Sequence, residues 1–359
     1  MKVLIVTKNT DPRSGIGRYS AGILRNIERI VNEVDIVSED SKHGLKRKFT
    51  FLNFIRNCLA TRRVAKQYDI VHALDGWPYG IYALFAVLGT NKKLFVGGVG
   101  TYSILPSIQS LRRTLMLVMY RRVSGIFSIS RYTEKRIQAR VPFKIPSHVV
   151  HLASDLLPQV GKIDPYARFG LEEKQIPIFL TVGAVKERKG QLDSLIGLSL
   201  LKENYPNFLY LIVGDQRDQR YISLIKKTVQ ELGITSNVKL VDDAYSDEDL
   251  AMLYSISDIH LLNSNNEGEH FEGFGLVFLE ANQFGVPGIG SKDCGIEDAI
   301  RDGVSGILVS QKDHQGIAKA VQTILKTKLK FEKGALEWHT HFSWMKTVIA
   351  YKELYESST

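Results

Sequence analysis

Short apolar runs alternate along the whole chain with longer stretches in which apolar residues recur every three or four positions. Residues 3–6, 70–71, 94–96, 126–129, 178–182, 209–213, 259–262 and 307–309 have the length and aliphatic character of buried strands. Between the first two runs, Tyr19, Ile23, Leu24, Ile27 and Ile30 are spaced to form one apolar stripe on a helix. Strands alternating with helices, with few hairpin signals, predict parallel sheets covered by helices on both faces. Ligands of such sheets bind beyond the carboxyl ends of the strands, so the loops that follow strands should carry the chemistry. No repeat of fixed period and no low-complexity tract interrupts this pattern.

A chain of 359 residues suits two domains of average size. Residues 156–175 read as a linker, because Pro158, Gly161 and Pro165 cluster there and the charge balance changes sign at the same place. The overall charge of +9 divides into +15 over residues 1–160 and −6 over 161–359. The basic half suits an anionic membrane surface or another polyanion, and a merely solvated basic face remains the alternative. No nucleic-acid-binding module accompanies it, so nucleic acid is not expected as a partner. Two cysteines, Cys58 and Cys294, make neither a disulfide framework nor a zinc ligand set, and point to a reducing, cytoplasmic compartment. No apolar run approaches the roughly 18 residues needed to span a bilayer, and the run at 3–6 is too short for a secretion signal.

The strongest chemical signal is residues 263–276, Asn-Ser-Asn-Asn-Glu-Gly-Glu-His-Phe-Glu-Gly-Phe-Gly-Leu, continuing to Glu280. A polar loop leaves a predicted strand, and Gly273 and Gly275 are expected to open a helix that runs to about Phe284. Glycines at a helix start let backbone N–H groups approach an anion closely. Glu272 and Glu280 would flank that cradle and accept hydrogen bonds from sugar hydroxyls. On spacing alone, a helix cap at Glu272 and a solvated surface carboxylate at Glu280 explain the pattern equally well.

The segment Glu272-Gly-Phe-Gly-Leu-Val-Phe-Leu-Glu280 resembles the Glu-x7-Glu signature of family-four retaining glycosyltransferases, group 1, which have the GT-B fold. Thr181-Val-Gly-Ala-Val-Lys-Glu-Arg-Lys-Gly190, Ile212-Val-Gly-Asp215, Gly295-Ile-Glu297, Ile300-Arg-Asp-Gly303 and Gly306-Ile-Leu-Val309 are similar to further blocks of that family, in the right order. Phe342-Ser-Trp344, with Tyr351 and Tyr355, resembles its closing helix. The resemblance implies two Rossmann-like, doubly wound parallel-sheet domains with the active site between them. The first, 1–160, would bind the acceptor and be closed by a C-terminal helix at 338–359. The second, 161–337, would bind the donor.

It also implies roles. Lys189 would bind the donor phosphates, assisted by Arg188. Gly273, Phe274, Gly275 and Leu276 would meet phosphate and sugar through the backbone. Glu272 would hold the sugar and Glu280 the ribose. Gly15 and Gly17 would face the donor phosphate and the acceptor from the first domain, although that loop lacks the third glycine of a dinucleotide fingerprint. The implied catalytic residues are Glu272 and Lys189. The implied reaction is retaining transfer from a nucleotide-diphosphate sugar, UDP- or GDP-linked, to a glycan or lipid-linked acceptor, as in cell-surface polysaccharide synthesis, with no metal and no further cofactor.

Two departures from the family pattern stand out. Ala184 replaces a frequent arginine, and Val99 replaces a frequent histidine before Gly100-Thr101-Tyr102. They keep open a non-catalytic nucleotide-sugar-binding protein, and a sugar-nucleotide epimerase on the same fold is the other alternative. His72 ends a predicted strand at the same rim and is read as structural or acceptor-shaping. Asp247-Glu-Asp249 matches a metal-binding Asp-x-Asp formally, but it follows Ser246 and starts an apolar helical pattern, as a capped acidic first turn does.

Overall fold

The computed structural model describes residues 1–11, 14–104, 110–172, 175–242, 244 and 246–357. They fall into two compact units, Met1–Ala153 with Phe342–Thr359, and Ser154–His341. Each is built on one six-stranded, all-parallel sheet.

The first sheet contains β1 (Lys2–Val6), β2 (Glu33–Val37), β3 (Ile70–Ala73), β4 (Lys93–Gly98), β5 (Gly125–Ser128) and β6 (Ser147–Val149), in the order β2-β1-β3-β4-β5-β6. Its inner strands are the aliphatic runs of the sequence. Val3, Leu4, Ile5 and Val6 are fully buried, and each such side chain contributes about 1.5–3 kcal/mol on leaving water. The helix Gly15–Ile27 buries Tyr19, Ile23 and Ile27, whereas Ile30 lies beyond its end. The C-terminal helix Trp344–Ser357 packs on this unit, burying Trp344, Tyr351 and Tyr355. The Tyr19 and Tyr351 hydroxyls meet at 2.8 Å, so this helix is tied to Gly15–Ile27 by polar as well as apolar contact.

The second sheet contains β7 (Ile178–Val182), β8 (Leu209–Val213), β9 (Val238–Val241), β10 (Ile259–Leu262), β11 (Gly288–Ser291) and β12 (Gly306–Val309). Its order is β12-β11-β10-β7-β8-β9. From β7 the chain first winds outward through β8 and β9, then crosses back to build β10, β11 and β12 on the other side. The reversal falls between β7 and β10. In the first sheet it falls between β1 and β3.

The segment expected to be a linker is not a free one. Asp164 caps a short helix, Pro165–Phe169, by accepting from the N–H groups of Tyr166 and Ala167. Leu157 and Phe169 are buried in the core of the second unit, and the Leu157 N–H donates to Gln283 at 2.9 Å. Burying two large apolar side chains holds this stretch against the unit despite its prolines. Residues 173 and 174 of the expected linker lie outside the described residues. No helix among the described residues is long and apolar enough to cross a membrane.

Candidate active site

In the second unit, the loops that follow β7 and β10 leave neighbouring strands at the reversal point. In a doubly wound sheet this is where the adjacent loops diverge and leave a crevice. The β7 loop carries a short helical turn, Glu187–Lys189, ended by Gly190. Gly190 has φ +68°, and a Cβ there would stand 1.9 Å from the Asn263 carbonyl oxygen. Only glycine lets the two loops touch at this point. The Asn265 N–H donates to the Arg188 carbonyl at 2.8 Å, and the Ser194 hydroxyl to Asn263 Oδ1 at 2.8 Å, which completes the seam.

This seam brings Glu272 to Lys189 and Arg188, which lie more than eighty positions earlier in the chain. Lys189 Nζ lies 2.7 Å from Glu272 Oε2, and Arg188 Nη1 lies 3.3 Å from the same oxygen. All three side chains are only 14–16% exposed. Burial alone would push the Glu272 carboxyl up. The charges of Lys189 and Arg188 and their hydrogen bonds outweigh it, holding the pKa down at about 2. Two cations therefore surround one ionised carboxylate, leaving a net positive site fit to hold a dianionic ligand beside a hydrogen-bond acceptor.

Lys186 is a third cation of the same loop that sequence reasoning did not single out. Its pKa is lowered, first by partial desolvation of the ammonium and then by Arg188 and Lys189, while Glu272 and Glu267 oppose the shift. Its only sequence signal is three basic residues within four positions, Lys186, Arg188 and Lys189. At Ala184, where the family often has arginine, the carbonyl accepts from Gln191 Nε2 at 3.1 Å.

The second half of the motif differs from expectation in its helix. The helix spans Val277–Gln283 and has no side-chain cap. Gly273, Phe274, Gly275 and Leu276 form the turn that leads into it. Gly275 sits at φ +89°, a conformation that side-chain-bearing residues rarely adopt and that delays the helix by several residues. Glu272 is thus not a helix cap. Its carbonyl accepts from the Gly295 N–H at 2.8 Å, anchoring the strand of loop that carries the carboxylate. Phe274 is buried. Glu280 is buried at 4% exposure, not solvated, and the Tyr254 hydroxyl donates to its Oε2 at 3.2 Å.

Gly15 and Gly17 belong to the first unit, where they open the helix Gly15–Ile27. The Gly17 N–H donates to the capping Ser14 hydroxyl at 3.1 Å. His72 does not face the strand-end rim. It is fully buried within β3, packed edge-on against Phe127 and Tyr351, with Nδ1 2.6 Å from the Tyr355 hydroxyl. Burial lowers its pKa to about 3, so it is a neutral core residue. The group that does occupy the end of β3 is Asp75. It accepts from the Gly76 N–H at 2.7 Å and from the Ser103 hydroxyl at 3.3 Å, and burial raises its pKa to about 7 against those bonds. The N–H of Val99 donates to the same Ser103 hydroxyl.

The Asp247–Asp249 segment is a capped first turn. Ser246 accepts from the Asp249 N–H at 3.0 Å, and the Asp249 carboxylate takes Arg168 at 3.0 Å.

Residues 164–335 match the family model described as glycosyl transferases group 1. The chain is 24% identical over 349 residues to a GDP-mannose-dependent alpha-(1-6)-phosphatidylinositol monomannoside mannosyltransferase of Mycolicibacterium smegmatis, covering 90% of this chain and 89% of the relative. A D-inositol 3-phosphate glycosyltransferase of Geodermatophilus obscurus is 35% identical over 117 residues, which is 33% of this chain and 25% of that one. Among solved structures, sucrose-phosphate synthase of Thermosynechococcus elongatus superposes with a TM-score of 0.79 at 19% identity, covering 99% of both chains. Anabaena HepE, solved with UDP and glucose, superposes with a TM-score of 0.77 at 17% identity, covering 99% of this chain and all of that one. With two doubly wound parallel sheets and the glutamate, lysine and glycine motifs on one pair of loops, the chain has the GT-B fold, and its residues 164–335 form a group 1 glycosyl transferase domain.

Proposed function

We propose that the protein is a retaining, metal-independent glycosyltransferase that draws a sugar from a nucleoside diphosphate sugar and passes it to a glycan or lipid-linked acceptor. The observation that carries this reading is the Lys189–Glu272–Arg188 cluster at the reversal point of the second sheet. As the diphosphate leaves, negative charge grows on its oxygens, and Lys189 and Arg188 are placed to stabilise it electrostatically, with Lys186 of the same loop adding to the positive field. Those cations do the work that a divalent ion does elsewhere. Glu272, ionised throughout the physiological range, accepts hydrogen bonds from the sugar as Lys189 and Arg188 turn to the phosphate. Glu280, fixed by Tyr254, holds the ribose. The acceptor is presented by the first unit, in which Asp75 and the loop at Gly15 and Gly17 follow the strands at the reversal point.

The donor base is open between uracil and guanine. The relative from Mycolicibacterium smegmatis by name uses GDP-mannose, and one structural neighbour was solved with UDP. The first unit, basic and rich in arginine, is assigned to the cytoplasmic face of a membrane, in keeping with a role in cell-surface polysaccharide synthesis. A thermal-shift series with UDP, GDP and ADP in excess EDTA tests the donor reading, since a ligand of the native state raises its apparent stability. A rise with one of the three supports it. No rise with any, or a rise only when Mg²⁺ or Mn²⁺ is added, removes it. Release of free sugar from the matching donor separates a transferase from a binding protein, and interconversion of donor sugars without acceptor would mark an epimerase.

A further inference from the structure

Two basic, apolar stretches of the first unit stand out in the sequence, and the structure separates them. The helix Ser110–Arg122 is packed in the ordinary way. Met116 and Met119 are fully buried, and Arg122 donates to the carbonyls of Thr90 and Lys92. The helix Phe51–Ala65 is built the other way round. Its inward residues include Asn57, Cys58, Thr61 and Ala65. Asn57 Nδ2 donates to the Lys46 carbonyl and to the Tyr82 hydroxyl, and the Thr61 hydroxyl donates to the Asn57 carbonyl. Phe54 is the one large ring that turns in, toward Tyr82 and Trp77. The outward residues are Phe51, Leu52, Ile55 and Leu59, at 80, 58, 39 and 62% exposure. At about 100° per residue, these four positions fall within about 100° of arc, so they form one continuous stripe.

The charges around this stripe have a single sign. From Ser41 to Tyr68 the chain has eight lysines and arginines and no acidic residue. Lys46 and Lys48 precede the helix, and Arg56 and Arg63 flank the stripe, all exposed. An apolar stripe bordered by cations is the composition of a helix that lies in a membrane interface, with the apolar residues at the headgroup and acyl boundary and the cations on lipid phosphates. A second copy of the chain would bring two basic faces together. Four side chains also fall well short of the roughly 800 Å² per partner that a stable protein interface needs.

We propose that the outer face of Phe51–Ala65 is a docking surface for an anionic lipid bilayer, into whose interface Phe51, Leu52, Ile55 and Leu59 insert. The inference deepens the assignment of the first unit to a membrane and is independent of the transferase reading. It is tested with the full-length protein and vesicles of phosphatidylcholine with or without 30% phosphatidylglycerol. Leu52→Cys, labelled with an environment-sensitive dye, places a reporter in the stripe, because Cys58 and Cys294 are both buried. The dye is expected to shift to the blue with anionic vesicles and to be quenched by lipids brominated along the acyl chain. Phe51→Ser combined with Leu59→Ser, both outward-facing, should weaken vesicle binding at least tenfold while leaving the melting temperature and the nucleotide-induced thermal shift unchanged. Binding that survives these substitutions with no dye shift would leave the unit on the membrane by another surface and overturn the inference. Absence of any vesicle binding would overturn the membrane assignment as well. Self-association abolished by the same substitutions, without vesicle binding, would give the face to a second copy.

Discussion

The two units are built on closely related plans and differ in what they place at the point where the sheet reverses. In each, a strand beside the first one carries a fully buried histidine, His72 on β3 and His260 on β10, paired in register with Ile5 and Leu180. In each, loops leave the strands on either side of the reversal. The second unit fills those loops with two half-buried cations on one carboxylate. The first fills them with Asp75, bound by one backbone N–H and one hydroxyl, and with the glycines that open the helix Gly15–Ile27. A parallel α/β sheet thus supplies a crevice in both cases, and only the side chains on the loops decide whether it suits a diphosphate or a hydroxyl.

The contrast can be broken first at the two glutamates. Glu272→Gln keeps size but turns part of an ionised acceptor into a donor. A hydrogen bond to a charged group contributes roughly 1.5–3 kcal/mol, so turnover should fall at least about tenfold while affinity for the bare nucleoside diphosphate is retained. Glu280→Gln should weaken bare-nucleotide binding instead, because the ribose is present with or without the sugar. Steady-state kinetics and calorimetry on both variants measure the two patterns. Full turnover in Glu272→Gln would remove it from the sugar site.

A second prediction compares the buried histidines. Both have pKa values lowered to about 3, His72 by burial and His260 by burial and then by the charge of Lys189. An unfolded chain takes up these protons near pH 6.5. The stability each neutral ring contributes is therefore present above pH 6.5 and is lost as pH falls toward 3, with a slope of about 1.4 kcal/mol per pH unit per group. His72 shares Nδ1 with Tyr355, whereas neither ring nitrogen of His260 has a hydrogen-bond partner among the described residues. His260→Phe should consequently flatten the fall in stability between pH 6.5 and 5 and cost little at pH 8. His72→Phe should flatten the same fall but cost more at pH 8, since it strands a buried tyrosine hydroxyl. Denaturant melts at the two pH values decide this, and an unchanged slope in both variants would contradict it. Glu272 adds a lower window, since its depressed pKa contributes stability present above about pH 4.5 and lost on approach to pH 2.

The smallest expected effect is at Lys186. It shares the loop and the local field of the pair on Glu272, and Lys186→Ala should weaken nucleotide binding by a few-fold, with a loss that shrinks as salt rises. A loss as large as that of Lys189→Ala would make Lys186 a direct phosphate ligand, and no loss at all would exclude it from the site.

How much of this was legible in the sequence depended on burial. β1, β3, β4, β5, β7, β8, β10 and β12 show as aliphatic runs. β2, β6 and β9 lie at or near sheet edges, and their half-buried faces carry residues such as Glu33, Asp35, His148 and Lys239, which dilute the apolar signal. β11 reads Gly-Ile-Gly-Ser because Phe278 and Ile296 occupy the space its missing Cβ atoms would need. The site was legible only through the spacing of its motif. Nothing in periodicity brings Lys189 to Glu272, and the delay of the helix to Val277 follows from the positive φ of Gly275. The burial of Glu280 and the inside-out helix Phe51–Ala65 both depend on which face the tertiary structure covers, which the pattern alone does not state.

In the proposed donor site, the second unit holds the diphosphate through Lys189 and Arg188. Calorimetric titration of UDP and GDP into the wild-type protein and into Lys189→Ala, both in excess EDTA, tests this most directly. One of the two nucleotides should bind the wild type without metal, and Lys189→Ala should bind it at least tenfold more weakly, about 1.4 kcal/mol or more, while remaining folded. Equal affinity in the two proteins, or binding by the wild type only after Mg²⁺ or Mn²⁺ is restored, would contradict it.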